Sequence, residues 1–252
     1  MILPTTSNQQ PTAISILSVP VHDVTTEETL SLIDQFVRER TPHQLCTVNP
    51  EFIMMAQHDA EFKRILNQAA LNLPDGIGVV WAARRLGHPL RERVAGSDLV
   101  SLIADRAQRA GWRIFLLGAA EGVAEQVAII LRERYPQTNI VGAYAGSPRL
   151  EEEVGIAARI RASEADVLLV AYGAPKQDKW IDRNLEHTGA AVAMGIGGSL
   201  DFIVGTQKRA PQWMQRVGLE WLYRLVREPW RWRRQLALPR FAWQVLSAKR
   251  DA

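Results

Sequence analysis

GSDLVSLIADRAQRAGWRIFLLGAAEGVAEQVAIILRERYPQTNIVGA, residues 96–143, alternates two hydrophobic periods, and that alternation decides the fold. Gly96-Ser97 opens a stretch with helical spacing that runs to Ala110. Trp112 to Leu117 is then almost unbroken in apolar residues, the mark of a strand buried on both faces. A helix is predicted from Glu121 to Tyr135 and a strand from Asn139 to Ala143. Strands separated by whole helices cannot pair as hairpins. They pair in parallel through right-handed crossovers, which implies an α/β fold with a Rossmann-like, mostly parallel sheet flanked by helices.

The pattern continues in both directions. Downstream come a helix from Leu150 to Ala162, a strand from Asp166 to Ala171, a helix after Pro175 and a strand from Ala190 to Met194. Upstream, Ile14 to Val21 reads as one strand, and Thr25-Thr26-Glu27-Glu28 supplies a capping box for a helix to about Arg40. Gln44 to Val48 is a further strand, with Pro50 suited to the first turn of the helix after it.

Composition fits such a body, at 47% hydrophobic and 23% charged residues. The lone cysteine, Cys46, rules out an internal disulfide and suits a reducing compartment. No run reaches the ~18 apolar residues of a membrane-spanning helix. The net charge of +3 conceals a division: from Lys208 onward eleven Lys/Arg face three Asp/Glu, a net +8, which leaves −5 for the rest. Five of the eight tryptophans, Trp213, Trp221, Trp230, Trp232 and Trp243, share that basic stretch. The reading is therefore a loose leader at 1–13, an α/β core at 14–207 and a basic, Trp-rich helical appendage at 208–252.

In parallel sheets, ligands bind beyond the carboxyl ends of the strands. Three strands end there in glycine loops: Gly118-Ala119-Ala120-Glu121-Gly122, Gly173-Ala174-Pro175 and Gly195-Ile196-Gly197-Gly198. Each lets the backbone approach a ligand, and the helix that follows offers N–H groups and a positive dipole end to a diphosphate. None matches G-x-G-x-x-G, and no Walker motif is present. Pro74-Asp75-Gly76 reads by itself as a tight turn. As chemistry, an aspartate of ordinary pKa ~3.9 is ionised at neutral pH and can take the proton of an attacking hydroxyl. Asn49 suits a helix N-cap, and Thr47, two residues earlier, would share its face of the strand and could hydrogen-bond a sugar. The histidines lack ligand spacing and no Asp-x-Asp occurs, so no metal site is expected.

Taken together, TVNPE (47–51), LPDGIG (73–78), ERVAGSDLV (92–100), GAPKQDKW (173–180), GIGGSLDFIVGTQKRAP (195–211) and GLEWLYRLVREPWRWRR (218–234) resemble the WecG/TagA/CpsF glycosyltransferases, glycosyltransferase family 26, in order and spacing. The resemblance spans roughly residues 14 to 235. It implies an inverting, metal-independent transfer from a UDP-sugar to a polyprenyl-diphosphate-linked acceptor, with no cofactor, in teichoic acid or other cell-surface polysaccharide synthesis. Carried over motif by motif, it implies Asp75 as the catalytic base, with Thr47 and Asn49 as the polar pair beside it and Thr47 grouped with the base. Arg93 and Gln177 become substrate contacts, and Asp201 a group near the nucleotide. Gly118, Gly173, Gly195 and Gly197 would approach the donor. Ala95 stands where threonine is commoner and Asp178 where glutamate usually follows the glutamine, which leaves the sugar open: N-acetylmannosamine, its uronic acid and glucose all fit the family.

Arg224, Arg227, Arg231 and Arg234 would form one stripe on an unbroken helix, but Pro229 splits the run into two helices. Trp at headgroup level and Arg facing anionic lipid suit a membrane interface. The resemblance assigns Arg224, Arg231 and Arg234 to the acceptor diphosphate. It places the protein in the cytoplasm, peripheral on the inner face of the cell membrane. A tail able to leave the core would trade a homo-oligomer for a membrane-bound monomer, and truncation near residue 207 would leave a soluble core. Two other classes compete. A nucleotide-dependent oxidoreductase would want a dinucleotide fingerprint, which the glycine loops lack. A nucleic-acid binder could use the basic tail but has no need of the acidic body or the sugar-type polar residues, so no nucleic acid is expected as a partner.

Overall fold

The computed structural model describes residues 11–211, 213–214, 219–227, 229 and 232–248, apart from the side chains of Arg224 and Arg233. The N-terminal part holds β1 (Ala13–Ile16), β2 (Val19–His22), α1 (Thr26–Glu39), β3 (His43–Val48), α2 (Pro50–Ala56), α3 (Ala60–Gln68), β4 (Leu71–Pro74) and α4 (Ile77–Arg85). The middle holds α5 (Gly96–Ala110), β5 (Arg113–Gly118), α6 (Val123–Arg134), β6 (Asn139–Tyr144), α7 (Leu150–Ala162), β7 (Val167–Ala171), α8 (Lys176–Thr188), β8 (Val192–Gly195) and α9 (Ser199–Val204). The basic tail contributes α10 (Glu220–Arg227), α11 (Trp232–Gln235) and α12 (Ala237–Ser247).

Among the described residues six strands form one sheet in the order β4-β3-β8-β7-β5-β6, every neighbouring pair parallel. This is the α/β, Rossmann-like arrangement that the alternation in 96–143 predicts. Side-chain alternation divides the core by face. Leu45, Ile114, Leu116, Leu169 and Met194 pack with residues of α1, α5 and α6. On the opposite face Cys46 and Val48 join α2, α3 and α4, while Phe115, Leu117, Leu168 and Val170 join α7 and α8.

Local sequence explains most element ends. Thr25 and Glu28 form the reciprocal capping box expected of them, and α7 begins and ends at Leu150 and Ala162 as the pattern predicts. Two stretches differ from expectation. Ile14 to Val21 is a hairpin rather than one strand, because Leu17 and Ser18 take positive φ and turn the chain between β1 and β2. Neither is a usual residue for that turn, so the signal is absent locally. What compensates is tertiary: Ile16, Val19 and Val21 are fully buried against α2, α3 and α4. Residues 60–85 carry α3, β4 and α4, which the sequence reading left unassigned around the Pro74-Asp75-Gly76 turn.

The tail is uneven. α10 ends at Arg227 and α11 starts at Trp232, a break at the place Pro229 dictates. α12 packs on α2 and α4, burying Phe241 and Val245 among Phe52, Ile53, Val79 and Ala82. Among the described residues no helix is long and apolar enough to cross a membrane.

Candidate active site

β4 is the strand that assembles the site. Its pairing sets Thr47 opposite Leu73 and Val48 opposite Pro74, and the Asp75 N–H continues the ladder onto the Val48 carbonyl at 2.8 Å. Asp75 therefore leaves the sheet beside Asn49, at the carboxyl edge. A cleft of about 260 Å³ opens there, bordered by Thr47, Asn49, Asp75, Gly173, Gln177 and Gly197 among others. Ends of β3, β4, β7 and β8 meet in it, where chain connections run to opposite faces of the sheet.

Two side-chain amides are held so that each presents its NH₂ group. Asn49 caps α2, its Oδ1 accepting the Phe52 N–H at 3.0 Å. Gln177, only 1% exposed, accepts the Gly197 N–H through Oε1 at 2.9 Å. With both oxygens committed, Nδ2 and Nε2 are the donors left for a ligand's oxygens. Gly195 makes the second arrangement feasible, since a Cβ there would lie 2.4 Å from Gln177 Nε2. Thr47, buried at 6% exposure, spans to the Gly195 carbonyl at 3.4 Å.

Helix ends supply more donors. Ala95, Gly96 and Ser97 at the start of α5, and Ala174 before α8, border the cleft. Neither helix carries a side-chain N-cap, and the Ala174–Pro175 bond is cis. Uncapped N–H groups with a positive dipole end suit a phosphate, most directly at α5, since at α8 Pro175 has no N–H and that of Gln177 is bonded to the Gly173 carbonyl at 3.0 Å. Behind this wall Asp178 is fully buried beside Cys46, and neither of its oxygens has a hydrogen-bond partner among the described residues. Burial pushes its pKa up to about 7, the nearby Cys46 thiol, its own N–H and the Gln177 amide offsetting only part of the effect. Burial likewise drives the Cys46 thiol well above its ordinary range, Asp178 adding to the effect. Cys46 is thus a protonated core residue.

Comparison with known proteins decides what such a cleft belongs to. The description "Glycosyl transferase WecG/TagA/CpsF family" matches residues 14–252. The chain belongs to that family. It is also 36% identical over 216 residues to the N-acetylglucosaminyldiphosphoundecaprenol N-acetyl-beta-D-mannosaminyltransferase of Bacillus subtilis strain 168, covering 86% of this chain and 84% of the relative. Proteins of the same name from Bacillus spizizenii strain W23 (38% over 206 residues, 82% and 79% covered) and Staphylococcus aureus strain MW2 (32% over 239 residues, 94% and 93%) are similar over comparable spans. A WecG/TagA/CpsF member is a glycosyltransferase, so the oxidoreductase alternative lapses.

In this WecG/TagA/CpsF chain the expected site residues fall into four groups. Thr47, Asn49, Asp75, Gly173, Gln177, Gly197 and, from the tail, Arg234 border the cleft. Gly195 lies just beneath it. Arg93, Gly118 and Asp201 do not border it. Arg93 is half-buried on the loop before α5, tied near Asp75 by the Val94 N–H to the Pro74 carbonyl at 2.9 Å, and makes no hydrogen bond or ion pair among the described residues. Gly118 serves packing, because a Cβ there would meet the Ala171 backbone at 2.8 Å where β5 and β7 pair. Asp201 receives the Thr206 hydroxyl and the Gln207 N–H at the end of α9. Arg231 and the Arg224 side chain lie outside the described residues.

Sequence reasoning did not single out Glu51, Ser97, Ser199, Phe202, Gln207 or Glu220, which also border the cleft. All six sit inside the quoted motifs, but their convergence depends on strand order. Among the described residues no three His, Cys, Asp or Glu side chains gather as a metal would require.

Proposed function

We propose that this glycosyltransferase moves an N-acetylhexosamine from a UDP-sugar onto an N-acetylglucosamine carried by a polyprenyl diphosphate, with inversion at the anomeric carbon. The names of the relatives make N-acetylmannosamine the first donor sugar to test. The observation that carries the reading is the sharing of one cleft by the Asp75 carboxylate and the uncapped starts of α5 and α8. An acceptor hydroxyl attacks the anomeric carbon, its proton passes to Asp75, and the bond from that carbon to the UDP oxygen breaks. Charge gathering on the departing diphosphate meets preorganised donors: the helix N–H groups and the amides of Asn49 and Gln177. These donors can take the part a divalent cation plays in other transferases. Thr47 lines the same cleft as the base.

The basic tail fits the same reading. Trp213, Trp221 and Trp232 are exposed, as a headgroup-level surface needs, and Arg234 stands at the cleft. A tail on an anionic membrane would keep the cleft within reach of a lipid-bound acceptor on the cytoplasmic side.

A panel of UDP-sugars, each with a short-chain polyprenyl-diphosphate N-acetylglucosamine, tests the proposal through UDP release with and without EDTA. UDP-N-acetylmannosamine should give the fastest release, undiminished by the chelator. Release with no sugar nucleotide in the panel would refute the donor class, and loss of activity in EDTA would refute the metal-free mechanism.

A further inference from the structure

The cleft holds a second carboxylate whose role the transfer step leaves unassigned. Glu51 stands in the first turn of α2, two residues beyond Asn49, and borders the cleft with Asp75 and Arg234. Its Oε1 accepts a hydrogen bond from Arg234 Nε. That is the one hydrogen bond Arg234 makes among the described residues, and it uses one of the guanidinium's five N–H groups. Among the described residues neither Nη group has a partner, which leaves both able to meet another anion. The pair joins positions 183 residues apart, so it ties α11 to the start of α2 across the cleft mouth. Arg209 ties the tail on the other side, bonding Asp98 of α5 and lying 3.8 Å from Glu220, which itself borders the cleft.

Exposure decides what such a pair can do. The Glu51 side chain is 24% exposed and that of Arg234 46%, so water screens the attraction and the contact adds little to stability. Its effect on geometry is larger. A free arginine samples many rotamers, and fixing it before the ligand arrives removes that entropy from the cost of binding.

We propose that Glu51 is a positioning residue for the acceptor: it grips Arg234 by Nε and so presents the Nη fork to the acceptor's diphosphate. This rests on the functional reading above. It separates the two carboxylates of the cleft, Asp75 taking a proton and Glu51 holding a cation.

The test compares wild type, Glu51→Ala, Arg234→Ala and the double variant, with Glu51→Gln as the conservative change that keeps an acceptor oxygen. Glu51→Ala should raise the acceptor KM about tenfold, as expected for loss of a charge-assisted contact, with kcat and the donor KM within about twofold. Glu51→Gln should recover much of the loss. In the Arg234→Ala background, adding Glu51→Ala should change nothing further. An unchanged acceptor KM in Glu51→Ala, or an equal rise with and without Arg234, would overturn the assignment. Calorimetric titration of the same proteins with inorganic pyrophosphate should reproduce the pattern without any sugar transfer. Coupled loss of pyrophosphate binding in a chain that does not glycosylate the lipid would refute the acceptor reading while supporting the Glu51–Arg234 role. Absence of coupling in that titration would count against Glu51 directly.

Discussion

α10 and α12 come from the same basic, tryptophan-rich tail, yet they meet the core differently. α12 buries Phe241 and Val245, 2% and 0% exposed, in the cluster that supports α2 and α4. α10 leaves Val226 72% exposed and Trp221 and Leu222 open as well. The tail is thus anchored at its far end, while Glu220 of α10 and Arg234 of α11 border the cleft. Composition alone marked 208–252 as one appendage. Packing makes its last helix part of the body.

Deleting residues 237–252 should have the largest effect, because it strips the cover from Phe52, Ile53 and Val79. We expect loss of more than ~5 kcal/mol, comparable with the whole stability of a marginal domain, and aggregation on expression. Truncation near residue 207 removes the same packing and should also give an unstable product. A soluble, cooperatively melting fragment from either deletion would break the contrast between the two helices. Phe241→Ala should cost about 3–5 kcal/mol in denaturant unfolding.

The cleft wall offers the same contrast between neighbours, Gln177 facing the opening and Asp178 buried behind it. The Asp178 pKa is raised on folding, to about 7. Between the ordinary carboxylate range and that value the folded chain therefore holds a proton that the unfolded chain has released, and stability falls as pH rises through that window. Asp178→Asn should abolish that part of the slope, gaining stability relative to wild type from pH 4 to about 7 and no more above it. Parallel pH–stability curves for the two proteins would contradict the burial argument.

The smallest effect on folding belongs to the exposed helix. Trp221→Ser with Val226→Ser should shift stability by no more than about 0.5 kcal/mol, as surface changes do. The same variant should pellet less with anionic vesicles than wild type. Unchanged pelleting would take α10 out of the membrane-facing surface.

Much of this was legible in the sequence because it is local. The period changes in 96–143 specify α5, β5, α6 and β6, and the Thr25–Glu28 box specifies the start of α1. The hairpin at Leu17-Ser18 was not legible, since distant burial rather than turn residues holds it. The site divides in the same way. Asn49 as a helix cap follows from its neighbours, but its meeting with Asp75 requires β4 to pair with β3, and 71–74 is too short a run to announce a strand. Gly118 reads from the sequence as a ligand loop, and only the distance to Ala171 reveals that strand packing also requires a glycine there.

The central claim is that Asp75 removes a proton in a cleft whose helix ends hold UDP. Asp75→Asn, compared with wild type for sugar transfer and for UDP affinity by calorimetry, addresses it most directly. Transfer should fall by about 10²–10⁴-fold, the range for loss of a general base, with UDP affinity nearly unchanged. Near-normal turnover in that variant would contradict the account.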